Sequence, residues 1–251
     1  KIIVGKKIVE VCVHNPAVIK EPDPSGFKKL LLNTTVKNVF RRAKVLIIEL
    51  SNGKFLVIHL KMTGQLVYPG DAKKSRVSFK LSDGKYLDFN DQRLFAELRV
   101  LDIWEELKFI QGLGPEPFDI DEKKFKMMLS SKKTKIKPLL MDQSFISGIG
   151  NLYAAECLFR AGVDPQRAAN SLTEKEKENL FKQIKEVLIA AIKYGGSSID
   201  DYVRVSGEKG EYKKFHQVYG RDDKPCLVCK AVIKRISLGG RGTYFCPNCQ
   251  K

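Results

Sequence analysis

The chain has 251 residues, 43% of them hydrophobic, with 45 Lys and Arg against 29 Asp and Glu and a formal net charge of +16. That length and apolar content support a substantial core in one large or two medium domains, and two are favoured by a change of pattern midway. The cation excess attracts polyanions, nucleic acid first, ahead of an anionic membrane face or an acidic protein, and no apolar run approaches the ~20 residues of a spanning helix.

The chain opens KIIVGKKIVEV, with neither an initiator Met nor a signal-peptide pattern, so nothing in it points to secretion. Residues 1–112 read as β-rich. KKIVEVCV, VKNVFRRAKVLIIEL, GKFLVIHLKM, RVSFKL and KYLDFND are β-branched or aromatic runs, several alternating, broken by turns such as Ser51-Asn52-Gly53 and Ser82-Asp83-Gly84. Repeated hairpins of this kind predict a sandwich or barrel. GLGPEPFD then places two prolines and two glycines in eight residues, and 113–122 reads as a stiff interdomain linker.

From DEKKFKMML the pattern becomes helical, giving an α+β chain whose second half, 123–220, is a helical domain. Asp119 or Asp121 caps the first helix. LTEKEKENLFKQIKEVLIAAIKYGG predicts a long amphipathic helix with Thr173 as N-cap, Glu176 three residues on and a glycine stop. Between them, MDQSFISGIGNLYAAECLFRAGV reads as two short helices joined at Gly148-Ile149-Gly150-Asn151, and the polar, glycine-studded segment from Gly195 to Pro225 reads as a mobile loop.

The strongest chemical signal is at the end, 221–251. Cys226 and Cys229 are separated from Cys246 and Cys249 by sixteen residues, the spacing of two knuckles that close four thiolates around one structural Zn2+. The paired pattern suits a reducing cytoplasm, with Cys12 and Cys157 as buried core thiols. Between the knuckles the chain alternates like two strands around Leu238-Gly239-Gly240-Arg241-Gly242, so the metal supports a basic hairpin tip. Arg241 there either grips a phosphate or is a solvated turn residue. Gly148-Ile149-Gly150-Asn151 leaves helix-terminal amides for a phosphate, or is a tight helix–helix turn needing no ligand. His59 and Lys61 share a strand face that is solvated or DNA-facing or, for His59, satisfied in the core. Met62, Arg93 and Phe95 look ordinary singly, yet together they fit the apolar wedge and polar fork that fill the gap left by an extruded base.

In order along the chain, LKMTG, DQRLF, LGPEPF, KIKPLLMDQ, GIGNLYAAECLF and the two Cys-x-x-Cys pairs resemble the bacterial formamidopyrimidine-DNA glycosylases, over essentially the whole length. GPEP and IKPLLMDQ favour that family over endonuclease VIII. The resemblance implies an N-terminal β-sandwich and a C-terminal helix-two-turns-helix domain with a zinc finger, clasping duplex DNA that contains oxidised bases. It implies a bacterial, nucleoid-associated monomer that excises 8-oxoguanine and formamidopyrimidines and cleaves the abasic site by β,δ-elimination. Lys44 matches the family's lysine at the abasic sugar. Met62, Arg93 and Phe95 match the wedge, Asn151 and Arg241 the phosphate-pinching pair, with Arg241 also assigned to δ-elimination. Lys74 and Lys132 fall at DNA-backbone contacts, Lys74 in place of a histidine, and the segment from Gly195 to Tyr212 matches the loop that closes over the flipped base.

Two departures stand out. The family's Pro-Glu start, whose secondary amine attacks C1′ and whose carboxylate gives acid/base help, has no match, and Lys1-Ile2-Ile3-Val4-Gly5 corresponds to residues after the opening helix. The expectation is that an N-terminal segment was removed or is not ordered, leaving a chain that binds DNA without its nucleophile. Leu94 stands where many relatives carry a second arginine. Two other readings share the charge and cysteines: a non-catalytic damaged-DNA-binding protein, and an RNA-binding or ribosomal zinc-ribbon protein.

Overall fold

The computed structural model describes residues 2–73, 75–199 and 202–251. It divides into two compact units, the first running through Gln111 and including Ser197–Glu211, the second comprising Gly112–Gly196 and Tyr212–Lys251.

The first unit is a sandwich. A four-stranded antiparallel sheet orders β1 (Ile8–Val13), β7 (Val77–Leu81), β8 (Tyr86–Asn90) and β6 (Gln65–Gly70). A five-stranded sheet orders β2 (Ile19–Glu21), β9 (Glu97–Leu101), β5 (Phe55–His59), β4 (Val45–Leu50) and β3 (Val36–Arg42). The alternation explains the stacking: Val77, Phe79 and Leu81 of β7 and Leu87 and Phe89 of β8 point inward, against Leu56 and Ile58 of β5 and Leu98 and Val100 of β9. Each of these aromatic or aliphatic side chains contributes about 1.5–3 kcal/mol by leaving water.

Several pieces of this unit were not legible as elements. Asp23 accepts from the Ser25 and Gly26 amides and starts α1 (Pro24–Leu31), which closes one end of the core with Phe27 and Leu31. The β3–β4 hairpin turns on Ala43 and Lys44, with Ala43 at φ 51°. Cys12 is not a core thiol: it follows buried Val11 on an edge strand, faces outward, and donates to Glu10 Oε1 at 3.2 Å. A short helix, α2 (Lys108–Gln111), ends the continuous part of the unit. The Ser197–Glu211 excursion carries no named helix or strand among its described residues; its ends meet in an isolated bridge, and the Tyr68 amide of β6 donates to Val205 O at 2.7 Å.

The second unit is helical, with α3 (Glu122–Ser130), α4 (Ile136–Met141), α5 (Asn151–Ala161) and α6 (Glu174–Lys193). Asp121 caps α3 by accepting from Lys124 N at 2.8 Å. Thr173 and Glu176 form the expected reciprocal cap of α6, the Glu176 carboxylate accepting from Thr173 N at 2.7 Å. Gln143 stitches the turns between α4 and α5, accepting from Gly148 N and donating to Met141 O and Ile149 O. Gly114 of the proline-rich segment lies so close to the Ser144 and Phe145 carbonyls that a Cβ would sit 2.5 Å from Ser144 O. Cys157 is fully buried in the α5 core, and burial pushes its thiol pKa up. The segment after Gly196 differs from its reading as one long loop: from Tyr212 onward it is packed, Tyr212 and Val218 being fully buried and His216 nearly so. The carboxylate of Glu156 on α5 causes this, accepting from three successive amides, Gln217, Val218 and Tyr219, at 2.9–3.1 Å.

Candidate nucleic-acid interface

In the first unit, two turns far apart in sequence bring Met62, Arg93 and Phe95 into one exposed cluster. Arg93 Nη1 lies 3.4 Å from Met62 Sδ, and its guanidinium carbon sits 4.7 Å from the centre of the Phe95 ring. Met62 is 61% exposed and Phe95 53%, so two large apolar groups face water with a cation between them.

Both turns are built for this. Gly64 follows Met62 and Thr63, and a Cβ there would lie 2.3 Å from Leu60 O. In the other turn, buried Asp91 accepts from Ala96 N at 2.7 Å and from Arg93 N at 3.2 Å, and its third donor is the Thr63 hydroxyl. Thr63 Oγ1 in turn accepts from Arg93 N at 3.2 Å. Leu94, at φ 57°, packs against the sandwich core, so it adds no group to the exposed cluster.

Lys44 is exposed in the β3–β4 turn, and its neighbour Val45 pairs with His59 of β5. His59 is half-buried, its ring 6.1 Å from that of Phe109. Burial first, then the nearby cations Lys61, Lys44 and Arg99, push its pKa down to about 4 against the raising effect of Glu97. The ring is therefore neutral at pH 7. Nδ1 accepts from Lys61 N at 3.0 Å, which leaves Nε2 as the protonated nitrogen and the single donor His59 offers.

In the second unit, Asn151 opens α5 and meets the C-terminal hairpin of β10 (Lys234–Leu238) and β11 (Arg241–Phe245). Leu238 pairs with Arg241, so the turn is Gly239-Gly240, at φ 57° and 70°, and Arg241 is the first residue of β11. Asn151 Nδ2 donates to Gly242 O at 3.1 Å and lies 3.5 Å from the Tyr219 hydroxyl. Arg241 is exposed beside Gly242. Two residues that the sequence reading did not single out complete this cluster. Tyr219 packs with its ring centre 5.0 Å from that of Tyr244, the two tilted by 57°, and Lys137 of α4 donates to Asn151 Oδ1 at 2.6 Å and to Thr243 Oγ1 at 2.7 Å. The visible signal for Lys137 was a lysine inside the apolar run IKPLLM. Lys132 is exposed in the separate stretch between α3 and α4, and Lys74 lies outside the described residues.

The four cysteines form a closed set. Their sulfurs all lie within 4.8 Å of one another, with Cys226 and Cys249 at 3.9 Å and Cys229 and Cys246 at 3.4 Å. A tetrahedral thiolate zinc with bonds of ~2.3 Å needs sulfur separations of roughly 3.8 Å, so the donor set fits one Zn2+ with no position left for substrate. Backbone geometry fixes the knuckles: Lys230 N donates to Cys226 O, Gln250 N to Cys246 O, and the Gln250 side chain returns to Cys246 N.

The chain is similar to known proteins over nearly its whole length. Family models described as the formamidopyrimidine-DNA glycosylase N-terminal domain, the formamidopyrimidine-DNA glycosylase H2TH domain and a zinc finger found in FPG and IleRS match residues 1–98, 113–203 and 223–251. The chain is 40% identical over 255 residues to the formamidopyrimidine-DNA glycosylase of Pelotomaculum thermopropionicum, covering 98% of this chain and 92% of that one. It is 38% identical over 259 residues to that of Listeria monocytogenes, covering 100% and 94%. A complex of Lactococcus lactis Fpg with abasic-site DNA matches at TM-score 0.90 and 34% identity, covering 99% of this chain and 94% of that chain. MutM (FPG) of Thermus thermophilus matches at 0.88 and 35%, covering 99% and 93%.

Proposed function

The chain belongs to the formamidopyrimidine-DNA glycosylase family, and from that premise we propose that it excises oxidised purines, 8-oxoguanine and formamidopyrimidines, from duplex DNA and cleaves the resulting abasic site by β,δ-elimination. At the level of the family it is a DNA glycosylase of base excision repair, with duplex DNA as partner and a structural zinc in its finger.

The observation that carries the finer reading is the Met62–Arg93–Phe95 cluster. A duplex gives up a base only at a cost of a few kcal/mol, least where the pair is already weakened, and something must occupy the vacated stack. Met62 and Phe95 supply apolar volume, and Arg93 supplies a planar donor fork to the orphaned partner base. Asn151 and Arg241 hold the backbone phosphates, with His59 Nε2, Lys44, Lys74 and Lys132 adding donors along it. Arg241 and Lys44 serve the elimination steps. No membrane role is proposed; among the described residues no helix is long and apolar enough to cross one. A bacterial cytoplasmic setting beside the nucleoid and a monomeric state complete the reading.

The Met62–Arg93–Phe95 cluster bears on recognition and extrusion, so the reading is tested at those steps. The test is a duplex with 2-aminopurine beside an 8-oxoguanine or an abasic analogue. The wild-type chain should bind it in preference to undamaged duplex and raise the 2-aminopurine signal, and Met62→Ala with Phe95→Ala should abolish the rise while leaving backbone binding. Equal affinity for damaged and undamaged duplex, or an undiminished signal in the variant, would overturn the reading.

A further inference from the structure

Lys137 is 1% exposed and its ammonium uses all three donors on neutral acceptors: Asn151 Oδ1 at 2.6 Å, Thr243 Oγ1 at 2.7 Å and Gly242 O at 3.3 Å. A buried cation without a carboxylate partner is costly, and an apolar side chain of similar length would fill the space at less expense in solvation. Its three bonds all reach the elements that carry Asn151 and Arg241. The neighbouring Pro138 supports the same hairpin from below, 3.3 Å from where a Gly239 Cβ would lie.

We infer that Lys137 is a positioning residue for the phosphate-holding pair, fixing which end of the Asn151 amide faces outward and holding the Arg241–Thr243 stretch of β11 against α5. An amide has two ends of nearly equal shape, and only its hydrogen bonds decide between them. An ammonium donates and never accepts. Lys137 therefore requires the Asn151 oxygen, which leaves Nδ2 with one hydrogen for Gly242 O and a second directed toward the 3.5 Å Tyr219 contact, within reach of an anion. Without the ammonium, only the Nδ2 bond to Gly242 O still holds the amide, so the half-turn that presents an oxygen to the phosphate, and repels it, is opposed by one bond in place of two. The second branch runs through Thr243, whose hydroxyl accepts from Lys137 and donates to Arg241 O at 3.3 Å, so one buried group sets both halves of the grip.

The protonation behaviour is consistent with this role. Burial pushes the Lys137 pKa down to about 8, so the orienting donor is lost in a range where an exposed lysine stays charged. Ionisable groups on the packed elements are Asp142 at the end of α4, Tyr153, Glu156, Cys157 and Arg160 on α5, Tyr219, Lys234 and Arg235 on β10, and Arg241 and Tyr244 on β11. None of them hydrogen-bonds Nζ; Glu156 is turned to the 217–219 amides, and Arg235 to the Tyr244 ring.

This inference rests on Asn151 and Arg241 being phosphate contacts, and the test separates the two. Affinity for a short duplex carrying a tetrahydrofuran abasic analogue is measured for wild type, Lys137→Met, Asn151→Ala, Arg241→Ala and the Lys137→Met/Asn151→Ala double variant. Lys137→Met should bind about tenfold more weakly, and the double variant no more weakly than Asn151→Ala alone, because a group that acts through another adds nothing once the other is gone. A positive charge acting merely through space would persist in the Asn151→Ala background and overturn the inference. Wild-type affinity should also fall between about pH 7 and about pH 9, and the fall should flatten in Asn151→Ala. That profile decides the matter even if Lys137→Met does not fold: a level wild-type profile overturns the inference. If Asn151→Ala weakens binding and Lys137→Met does not, the inference alone fails. If neither Asn151→Ala nor Arg241→Ala weakens it, the phosphate reading fails with it.

Discussion

The carboxylate of Asp91 and the hydroxyl of Thr63 hydrogen-bond across twenty-eight positions of sequence, tying the turn that carries Met62 to the turn that carries Arg93 and Phe95. Neither residue touches water to any extent, Asp91 being 2% and Thr63 7% exposed, so their work is internal: they bring three exposed side chains into contact. Replacing Asp91 by Ala strands the Ala96 amide and the Thr63 hydroxyl at once and leaves the Arg93 amide with Thr63 Oγ1 alone. The expected loss is about 2–4 kcal/mol in urea unfolding, with a larger proportional loss of base extrusion than of backbone binding. A variant with intact 2-aminopurine response would show that the wedge assembles without this link.

Zinc removal should act on DNA binding through the hairpin. The metal closes the base of β10 and β11, while the tip presents Arg241 next to Asn151, so a loosened base disperses the pair. Chelation, or Cys249→Ala, is expected to weaken duplex binding by about 10–100-fold at matched salt, the range for losing charge-assisted contacts. The check is anisotropy of a labelled duplex alongside a colorimetric count of released zinc. Unchanged affinity after full release would remove the hairpin from the interface.

How much of this was legible beforehand depends on the range of the forces involved. The cysteine pairs, the α6 cap and the strands KYLDFND and RVSFKL are local patterns, and they reappear as the metal site, the Thr173–Glu176 box, β8 and β7. Met62, Arg93 and Phe95 are grouped by the need for a wedge and a fork and by family resemblance, not by a local pattern, because their contact depends on Asp91 and Thr63, which look like ordinary turn residues. The hairpin at Ala43-Lys44 has no glycine or asparagine to announce it; its left-handed Ala43 is held by β3–β4 pairing, a tertiary effect. Segment 212–225 read as loop because its composition is polar, yet Glu156, buried five residues after Asn151, satisfies the Gln217, Val218 and Tyr219 amides and packs that part of it against α5. Lys137 was hidden for the same reason: a charged residue in an apolar run gains meaning only from acceptors such as Gly242 and Thr243, more than a hundred positions away.

His59 gives a stability signature with a definite sign. Its folded pKa is about 4 and the ordinary value is 6.5, so below that value the unfolded chain takes up the proton first. Its contribution to stability is therefore complete above about pH 6.5 and is lost as pH falls toward 4. Urea midpoints of wild type should decline across that window more steeply than those of His59→Gln, after allowance for the shared decline from carboxylates. Parallel curves would mean that His59 is solvated and not packed against Phe109. Duplex affinity, by contrast, should not respond to His59 between about pH 6 and pH 7.5, since the ring stays a neutral Nε2 donor throughout.

Asn151 and Arg241 are adjacent in space but differ in charge, and salt separates them. A cation that neutralises a phosphate releases a condensed counterion, so removing it flattens the dependence of log Kd on log salt, whereas removing a neutral donor lowers affinity without changing that slope. Arg241→Ala should therefore weaken binding and reduce the slope by about one unit, while Asn151→Ala should weaken it at every salt concentration with the slope preserved. Measurement by anisotropy on one abasic-analogue duplex over several potassium chloride concentrations is sufficient. Arg241 is exposed and immediately precedes Gly242, whose carbonyl Asn151 holds. An unchanged slope in Arg241→Ala would mean that its guanidinium points to solvent, and the hairpin would then contact DNA through backbone and Asn151 alone.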